Sequence, residues 1–283
     1  MKAIPLLLCT TALMIGCGPG DTDTPLEPQA EAAAPFTAAA LQTMVDGEHR
    51  AAANRDRDRY RNPVSTLQFF DIHPEHHVIE INPGGGWYAE ILAPLLHEHG
   101  RYTAAIIDPD LPDMPAYVPR LAEMINQLLA QDEALYGEAH IHRYNPAEPV
   151  LGETNSADRV LTFRNVHGWI NGGQAEGMFA AFYDVLKPGG VLGVVQHRAE
   201  DGADYRETAQ SGYVPESAVI ALAEAAGFRL DERSDINANP NDTRDHPRGV
   251  WTLPPSLALG DENRERYMEI GESDRMTLRF VKD

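Results

Sequence analysis

The fold of this chain is decided by the stretch Glu80-Ile81-Asn82-Pro83-Gly84-Gly85-Gly86-Trp87-Tyr88. Residues 77–81 form a short β-branched run that predicts a strand, and residues 87–97 show the apolar spacing of a helix. The glycines allow the backbone to turn sharply between the two elements and let a ligand approach it closely. Because the first turn of a helix presents unpaired N–H groups that favour a carboxylate or phosphate, we expect a ligand site at this turn.

Asp108 extends this expected ligand site, since it follows the next predicted strand, residues 102–107. A carboxylate at that point of an open α/β sheet can accept hydrogen bonds from both hydroxyls of a ribose. The spacing Gly84-Gly85-Gly86-Trp87-Tyr88-Ala89 also satisfies the loose G-x-G-x-x-A pattern of nicotinamide-dinucleotide sites. A third interpretation is a glycine turn that only packs a helix on a strand. All three interpretations are open from the turn alone.

Strands and helices alternate along the rest of the chain. Apolar or β-branched runs predict further strands at residues 140–143, 159–163, 191–196, 228–233 and 276–281. Helical spacing predicts helices at residues 117–129, 175–186 and 217–226. This alternation favours parallel strands with helices on both faces of the sheet, so the sequence predicts a doubly wound α/β fold of about seven strands.

Two less regular segments flank or interrupt this alternating core. Helical spacing over residues 36–61 predicts a helix that Pro63 ends or directly follows. We interpret residues 36–75 as an N-terminal helical lid. Residues 237–271 are polar and contain several prolines, which is typical of functional lids or disordered insertions. We therefore expect one domain, residues 36–283, with an inserted loop.

Two polar clusters in these segments each have two interpretations. The first cluster consists of Arg55, Arg57, Arg59, Tyr60, Arg61 and Asn62. It either binds an anionic substrate or, with the interleaved Asp56 and Asp58, forms a solvated charged face. The second cluster, the Asn- and Asp-rich residues 237–247, either lines a substrate pocket or forms ordinary surface turns.

Two motifs resemble those of the class I S-adenosylmethionine-dependent methyltransferases. The turn Glu-x-x-Pro-Gly-x-Gly at residues 80–86 resembles the first motif of that family, which has an acidic residue on the first strand. The segment Leu186-Lys187-Pro188-Gly189-Gly190, followed by a strand, is similar to the turn before the family's fifth strand. The resemblance implies a Rossmann-like, mostly parallel sheet in which residues 276–281 form an antiparallel C-terminal strand. More narrowly, residues 163–169 and 271–276 resemble a group of bacterial methyltransferases, inferred from sequence, that carry export signals.

The resemblance implies S-adenosylmethionine as the cofactor and gives each candidate residue a role. The cofactor-binding set is Glu80, Gly84, Gly85, Gly86, Asp108, Asn145, Arg164 and Asn165. Within it, the glycines would contact the amino-acid part of the cofactor, Glu80 would support their turn, and Asp108 would hold the ribose. Asn145 stands where an acidic residue of the family commonly meets the adenine amine. Arg164 and Asn165 would line the cofactor and substrate cleft.

His167 is the candidate catalytic base, because it lies in the loop at the carboxyl end of a central predicted strand. The alternative is a histidine that only hydrogen-bonds a neighbouring loop. Trp169 either stacks on a substrate or covers the cleft. His140 and His142 would share one face of a strand, but no third ligand is evident in the sequence, so we predict no metal site.

The N-terminal residues predict export. A positive start and a short apolar run are typical of a secretory signal peptide, residues 1–16. Leu13-Met14-Ile15-Gly16-Cys17 resembles the lipobox of bacterial lipoproteins, with an ordinary signal peptide as the alternative. The resemblance implies lipidation of Cys17 and a lipid-anchored protein on the periplasmic side of the cell envelope. Residues 17–35 predict a disordered tether. Because the two cysteines are Cys9 and Cys17, the sequence excludes thiol and disulfide chemistry from the rest of the chain.

Net charge and predicted export narrow the function. With 43 acidic residues against 23 Lys and Arg, the formal charge is −20, which repels phosphate backbones and disfavours nucleic-acid binding. The leading hypothesis is an S-adenosylmethionine-dependent methyltransferase of a small or envelope-associated molecule, attached to the membrane only through its lipid anchor. Since S-adenosylmethionine is made in the cytoplasm and the chain is predicted to be exported, the alternative is a non-catalytic ligand-binding module on the same fold.

Overall fold

A seven-stranded sheet forms the centre of the protein in the computed structural model, which describes residues 37–283. Its strands are β1 (His77–Ile81), β2 (Arg101–Ile107), β3 (His140–Tyr144), β4 (Ala157–Phe163), β5 (Leu186–His197), β6 (Arg229–Ser234) and β7 (Arg275–Val281). They are ordered β3-β2-β1-β4-β5-β7-β6, with β1 to β5 parallel and β7 antiparallel to both neighbours. The predicted α/β fold, with a mostly parallel Rossmann-like sheet and an antiparallel C-terminal strand, is confirmed.

Helices flank the sheet on both faces. In chain order they are α1 (Ala38–Val45), α2 (Ala52–Arg55), α3 (Asp58–Arg61), α4 (Pro63–Phe69), α5 (Ala89–Leu96), α6 (Tyr117–Leu129), α7 (Glu133–Tyr136), α8 (Val166–Asn171), α9 (Ala175–Val185), α10 (Tyr205–Thr208), α11 (Glu216–Ala225) and α12 (Arg264–Ile270). Two 3₁₀ turns occur at Ala209–Ser211 and Gly249–Thr252. Neighbouring residues of a strand point to opposite faces, and Val78 and Ile79 of β1 belong to two different apolar cores. The sheet therefore has one core on each face.

The turn between β1 and α5 uses left-handed backbone conformations. Asn82, Gly84 and Gly86 have φ angles of 48°, 63° and 84°, a region in which glycine carries no steric penalty. A Cβ at Gly86 would meet Leu128 of α6 at 2.2 Å, so this glycine allows α6 to pack against the turn. The predicted strand, glycine turn and helix are all present, although the helix begins at Ala89 instead of residue 87.

The prediction of a single N-terminal helix over residues 36–61 is wrong, because this segment forms three short helices, α1, α2 and α3. Arg50 occupies the break after α1, where it donates hydrogen bonds to the carbonyl of Val45 and to Asp58, both at 2.7 Å. Pro63 follows the end of α3, as one of the two predicted alternatives has it, and it also begins α4. Proline suits the first helical position, since its fixed φ is helical and its missing N–H would be unpaired there.

Residues 237–271, expected to be an irregular inserted loop, contain a 3₁₀ turn and α12 and are fixed by buried polar side chains. Asp242 is 2% exposed and accepts hydrogen bonds from the Tyr213 hydroxyl at 3.0 Å and the Asp274 N–H at 2.7 Å. Asn239 donates to the carbonyl of Ile270 at 2.8 Å. These buried bonds define the path of the segment across the fold.

Several predictions concern the first part of the chain. The predicted signal peptide (residues 1–16), the tether (residues 17–35) and the lipidated Cys17 lie outside the described residues. Among the helices of residues 37–283, none is both long and apolar enough to cross a bilayer. These residues belong to a single compact unit.

Candidate functional site

Two adjoining cavities open at the carboxyl ends of β1, β4 and β5, the edge where open α/β sheets bind ligands. The first, the arginine cavity, has a volume of about 380 Å³, and its lining includes Arg57, Arg61, Arg164, His197, Trp251 and Glu272. The second, the apolar cavity, has a volume of about 510 Å³, and its lining includes Ile106, Ile107, Tyr117, Val118, Leu121 and Trp169. Gly84, Arg164 and His167 line both, so the cavities are two parts of one cleft.

The three predicted glycines do not all face this cleft. Gly84 lines both cavities, and a Cβ built on it would have no atom within 4 Å. Gly85 lines the arginine cavity. Gly86 lines neither cavity and lies against Leu128 instead. The turn therefore leaves its backbone uncovered at Gly84, where the two cavities meet.

Glu80 of β1 lines the arginine cavity and is 2% exposed. Its Oε2 accepts a hydrogen bond from the Tyr102 hydroxyl at 2.7 Å. Burial raises the pKa of Glu80 to about 7, against the opposing effects of Tyr102 and Arg164. Its other carboxylate oxygen has no hydrogen-bond partner among residues 37–283. Glu80 can therefore accept a hydrogen bond from a ligand, and its charge changes near neutral pH.

Asp108 and Asn145, predicted to hold the ribose and the adenine, line neither cavity. The Asp108 carboxylate accepts a hydrogen bond from the Asp110 N–H at 3.1 Å and lies 3.7 Å from Nη1 of Arg143. The exposed Asn145 side chain accepts a hydrogen bond from the Ala147 N–H at 3.0 Å. Both side chains stabilise turns that follow β2 and β3, and the structure does not bring either of them into the cleft.

Arg164 reaches the cleft through an uncommon backbone conformation. It follows β4 with a φ of 65°, a left-handed value that costs energy for a residue with a Cβ. Its N–H donates to the carbonyl of Val195 at 2.7 Å, but its guanidinium has no hydrogen-bond or ion-pair partner among the described residues. Burial lowers the pKa of Arg164 to about 10, so the group is charged at neutral pH. Asn165 donates to the carbonyl of Ile81 at 2.9 Å and joins the ends of β4 and β1.

Glu272 lines the arginine cavity and lies three residues before the first residue of β7. It forms ion pairs with three arginines. Its carboxylate accepts hydrogen bonds from Arg57 Nε at 2.8 Å, Arg61 Nε at 3.0 Å and Arg275 Nη1 at 3.1 Å. Burial would raise the pKa of Glu272, but the surrounding guanidinium groups, that of Arg61 foremost, lower it to about 2. The carboxylate is therefore ionised at neutral pH.

Each of the two interpretations of the polar cluster at residues 55–62 applies to part of that cluster. Arg55 and Arg59 are exposed, as expected of a solvated charged face. Arg57 and Arg61 line the arginine cavity, and Arg61 is only 3% exposed.

His167 lines both cavities, and its tautomer is set by Gln196. Nε2 of Gln196 lies 2.9 Å from the carbonyl oxygen of Gly212 and 3.3 Å from Nδ1 of His167. Because a carbonyl only accepts hydrogen bonds, this amide nitrogen is a donor to both groups, and the imidazole proton is on Nε2. Burial lowers the pKa of His167 to about 4. At neutral pH the ring is therefore an uncharged Nε2–H donor, an arrangement less suited to a catalytic base.

His197 is a second imidazole in the wall of the arginine cavity, which sequence reasoning missed. Its ring centroid lies 5.7 Å from that of His167, and its Nδ1 lies 2.5 Å from Oγ of Ser273. Burial, followed by the neighbouring His167, lowers its pKa well below the ordinary value. Two neutral imidazoles therefore lie side by side at the ends of β4 and β5.

Trp251 and Glu272 were also missed, and both come from chain segments far from the glycine turn. Trp251 lies in the segment 237–271, and its ring centroid is 5.8 Å from that of His167. The polar residues 237–247 line neither cavity. A signal for Glu272 was present, because the amino end of an antiparallel last strand lies at the same sheet edge as the carboxyl ends of the parallel strands.

Two other sequence candidates lie outside the polar part of the cleft. Trp169 is 3% exposed and packs against Phe182 at a distance of 5.5 Å between ring centroids. It forms part of the wall of the apolar cavity. Nε2 of His142 lies 2.7 Å from the carbonyl oxygen of Val150. Within residues 37–283 no group of three or more side chains is arranged to hold a metal ion.

Comparison with solved structures shows which proteins share this fold. No protein-family model and no curated protein matches the chain. The structure is similar to a SAM-dependent methyltransferase from Aquifex aeolicus, with 14% identity, a TM-score of 0.53 and coverage of 88% of this chain and 100% of the other. It is also similar to a proposed sarcosine dimethylglycine methyltransferase from Galdieria sulphuraria, with 16% identity, a TM-score of 0.51 and coverage of 86% and 91%. A third similar structure is that of the [4+2]-cyclase SpnF, with 16% identity, a TM-score of 0.52 and coverage of 84% of each chain. The chain has the fold of SAM-dependent methyltransferases.

Proposed function

We propose that the protein is an S-adenosylmethionine-dependent methyltransferase whose cofactor binds across Gly84. The observation that carries the proposal is the uncovered backbone of Gly84, placed where an apolar cavity meets a charged one. S-Adenosylmethionine has the same division, with a flat base at one end and a charged amino acid at the other. The cavity volumes, about 380 and 510 Å³, are typical of small-molecule sites. The fold shared with SAM-dependent methyltransferases supports the proposal.

The cleft residues fit the two ends of this cofactor. Ile106, Val118 and Leu121 would pack against the adenine, which needs apolar surface on its faces. Glu80 would accept a hydrogen bond from the amino group, and the backbone at Gly84 allows the close approach that links the two ends. When bound, the cofactor supplies an electrophilic methyl group on a sulfonium.

The chain's own contribution to methyl transfer would be orientation and exclusion of water. His167 presents Nε2–H, which can hold an acceptor by a hydrogen bond but cannot take its proton while the ring keeps this tautomer. Trp251 and Pro254, from the segment 237–271, line the arginine cavity and would shield it from solvent. Holding two reactants in line is itself a large part of the catalysis of a displacement reaction.

Cofactor binding to the full-length protein tests the proposal. The three tryptophans, Trp87, Trp169 and Trp251, all line the cleft, so tryptophan fluorescence reports its occupancy. We expect saturable binding of S-adenosylmethionine and S-adenosylhomocysteine. Gly84→Ala should weaken both by about tenfold, because a methyl group occupies the point of close backbone approach. If neither compound binds at millimolar concentration, the proposal is refuted.

Gly173→Ala is the matched control for Gly84→Ala. Gly173 has a φ of 68°, a Cβ built on it meets no atom within 4 Å, and it lines neither cavity. Both substitutions therefore impose a similar backbone strain of about 1 kcal/mol. Only Gly84→Ala should change the affinity for the cofactor.

A non-catalytic ligand-binding module on the same fold is the second candidate. It is favoured by the position of Asp108, which leaves the expected ribose site without its carboxylate. The similarity to the cyclase SpnF also means that this fold does not define one reaction. By contrast, the antiparallel β7 between β5 and β6 weighs against a nicotinamide-dependent oxidoreductase, whose dinucleotide-binding sheet has the order 3-2-1-4-5-6.

We also propose that the protein acts in the cell envelope on the periplasmic side, anchored through Cys17, on a small or envelope-associated acceptor. Support comes from residues 13–17 and from the net charge of −20, which disfavours nucleic acid as the acceptor. Metabolic labelling with an acyl-chain probe should mark the wild-type protein and not Cys17→Ser. An unlabelled wild-type protein would contradict the anchor while leaving the methyltransferase proposal intact.

A further inference from the structure

We propose that the methyl acceptor carries an oxyanion, a carboxylate or a phosphate, which binds in the arginine cavity to the free donors of Arg57, Arg61 and Arg164. This inference names a substrate class and therefore rests on the proposed methyltransferase function. Its basis is the set of hydrogen-bond donors in the cavity, the charge balance of its wall and the cost of leaving Arg164 without a partner.

The arginine cavity contains donors that the protein itself does not use. The Arg164 guanidinium has no partner among the described residues. Arg57 and Arg61 donate to Glu272 through Nε, and their terminal Nη groups make no hydrogen bond to residues 37–283. His167 adds its Nε2–H, which is also without a partner in this part of the chain. Because all these groups donate, they match a ligand group that only accepts, as an oxyanion does.

The charge balance of the cavity wall favours the same kind of ligand. Four guanidinium groups act on the carboxylate of Glu272, namely those of Arg57, Arg61, Arg164 and Arg275. Glu80 adds only part of a negative charge at neutral pH, because burial raises its pKa to about 7. The wall is therefore positive although the chain carries a formal charge of −20. Positive charge focused in a cleft attracts anions selectively.

The other arginines of the described residues that are not exposed are matched by carboxylates. Arg159 lies 2.6 Å from Asp71, and Arg198 lies 3.0 Å from Asp274. Arg164 lacks such a partner, and both its unpaired charge in a cavity and its left-handed backbone are unfavourable. A purely structural role accounts for neither feature, whereas an anion bound in the cavity supplies the missing partner.

The charge of the cofactor links anion binding to methyl transfer. S-Adenosylmethionine carries one more positive charge than S-adenosylhomocysteine, because its sulfur is a sulfonium. The positive wall of the arginine cavity therefore repels S-adenosylmethionine more than S-adenosylhomocysteine, and a bound anion reduces this repulsion. We expect an anion in the arginine cavity to raise the affinity for S-adenosylmethionine more than that for S-adenosylhomocysteine.

The probes for the experiment are inorganic phosphate and succinate, titrated into the full-length protein at constant ionic strength set with chloride. Tryptophan fluorescence of the cleft is the readout, and we expect saturable binding of at least one probe, which identifies the favoured oxyanion. Arg164→Gln should weaken this binding at least about tenfold, because charge-assisted hydrogen bonds are lost. Arg57→Gln, at a more exposed position, provides a second variant if Arg164→Gln does not fold.

Arg55→Gln is the matched control, since it removes the same charge from an exposed position that lines neither cavity. Its affinity for both probes should equal that of the wild type. A further titration measures the affinities of S-adenosylmethionine and S-adenosylhomocysteine with and without the bound anion. The anion should raise the affinity for S-adenosylmethionine several-fold more than the affinity for S-adenosylhomocysteine. Arg164→Gln should reduce this difference.

The outcomes separate this inference from the proposed function. The anion site is overturned if neither anion binds saturably, or if wild type and Arg164→Gln bind them equally. If the anion raises both cofactor affinities by the same factor, or lowers both because it competes with the cofactor's own carboxylate for these arginines, the link to the methyl acceptor is overturned. Cofactor binding without anion binding refutes this inference alone. Anion binding without any cofactor binding refutes methyl transfer and supports the anion site as part of a binding module.

Discussion

The apolar cavity and the arginine cavity share Gly84 and His167 but are assembled in different ways. Most of the apolar surface comes from the end of β2 and from α6, two elements that follow one another along the chain. The arginine cavity combines residues from α3, β1, the ends of β4 and β5, the segment 237–271 and the residues before β7. The apolar side chains of the first cavity therefore come mostly from one strand and the helix after it, whereas the polar side chains of the second come from segments spread over most of the chain.

The two cavities also differ in how their polar groups are satisfied. The aliphatic side chains that line the apolar cavity, such as Ile106 and Leu121, need no hydrogen-bond partners. In the arginine cavity, Glu272 is saturated by three arginines while Arg164 has no partner. This difference indicates which end of a ligand each cavity would take. It also predicts that substitutions in the two cavities will affect different measurements.

The largest expected effect is on the stability of the arginine cavity. Glu272→Gln leaves several buried guanidinium groups without their counter-charge and should lower the free energy of unfolding by about 3–5 kcal/mol. Because the pKa of Glu272 is lowered from 4.5 to about 2, its contribution to stability is complete above pH 4.5 and is lost as the pH falls through about 2. Urea unfolding of wild type and Glu272→Gln between pH 7 and pH 2 measures both effects.

Glu269→Gln is the control for this substitution, since Glu269 is exposed on α12 and has no partner among the described residues. It should change the free energy of unfolding by less than about 0.5 kcal/mol. Adding Arg57→Gln to Glu272→Gln should recover part of the lost stability, because one of the unpaired charges is removed. Equal stability of Glu272→Gln and wild type would mean that the arginine wall does not depend on this carboxylate.

A substitution in the apolar cavity should affect cofactor affinity more than stability. Leu121→Asp places a charge where the base of the nucleoside is proposed to pack and should weaken S-adenosylhomocysteine binding by roughly tenfold to a hundredfold. Val150→Asp is the control, because Val150 is 64% exposed and lines neither cavity. Unchanged affinity in Leu121→Asp would show that the nucleoside does not occupy this cavity.

A smaller effect is expected from the titration of Glu80. With its pKa raised to about 7, the carboxyl gains a proton below that pH and loses its attraction for an amino group. The affinity for S-adenosylhomocysteine should therefore rise several-fold as the pH increases through about 7. Glu80→Gln should remove this pH dependence. A pH dependence that persists in Glu80→Gln would assign it to another group.

The smallest expected change concerns His167, which is shared by the two cavities. Since its pKa is lowered to about 4, its ring should stay uncharged across the neutral range and gain a proton only as the pH approaches that value. Nitrogen-15 NMR of the histidine rings, with His167→Gln for assignment, should show an Nε2-protonated neutral imidazole at pH 7. A proton on Nδ1 would restore His167 as a candidate base.

The regular elements were largely predictable because their signals are local. The β-branched run before the glycines is β1 itself, and the apolar spacing of residues 117–129 defines α6. The helix predicted over residues 36–61 failed because of side-chain hydrogen bonds that hydrophobic spacing does not reveal. Arg50 bonds to Asp58 and to the carbonyl of Val45, and these bonds form in the folded chain at the point where periodicity alone would continue the helix.

The candidate site was predicted only in part. Gly84 and Glu80 were identified because they belong to one turn, and they do line the cleft. Asp108 was expected there from its place after a strand, but it lines neither cavity, and its carboxylate accepts a hydrogen bond from the Asp110 N–H. Such a choice between a ligand and a neighbouring N–H depends on side-chain geometry that spacing does not contain.

The sequence by itself determined the alternation of strands and helices and the sharp glycine turn after β1, because hydrophobic periodicity and backbone sterics act over a few residues. Only the tertiary structure decided that Arg61, Glu272 and Trp251 meet Gly84 in one cleft. The reason is that an antiparallel last strand and a long inserted segment bring the two ends of the fold to the same edge of the sheet. There, the unpaired guanidinium of Arg164 adds to the positive charge of Arg57 and Arg61.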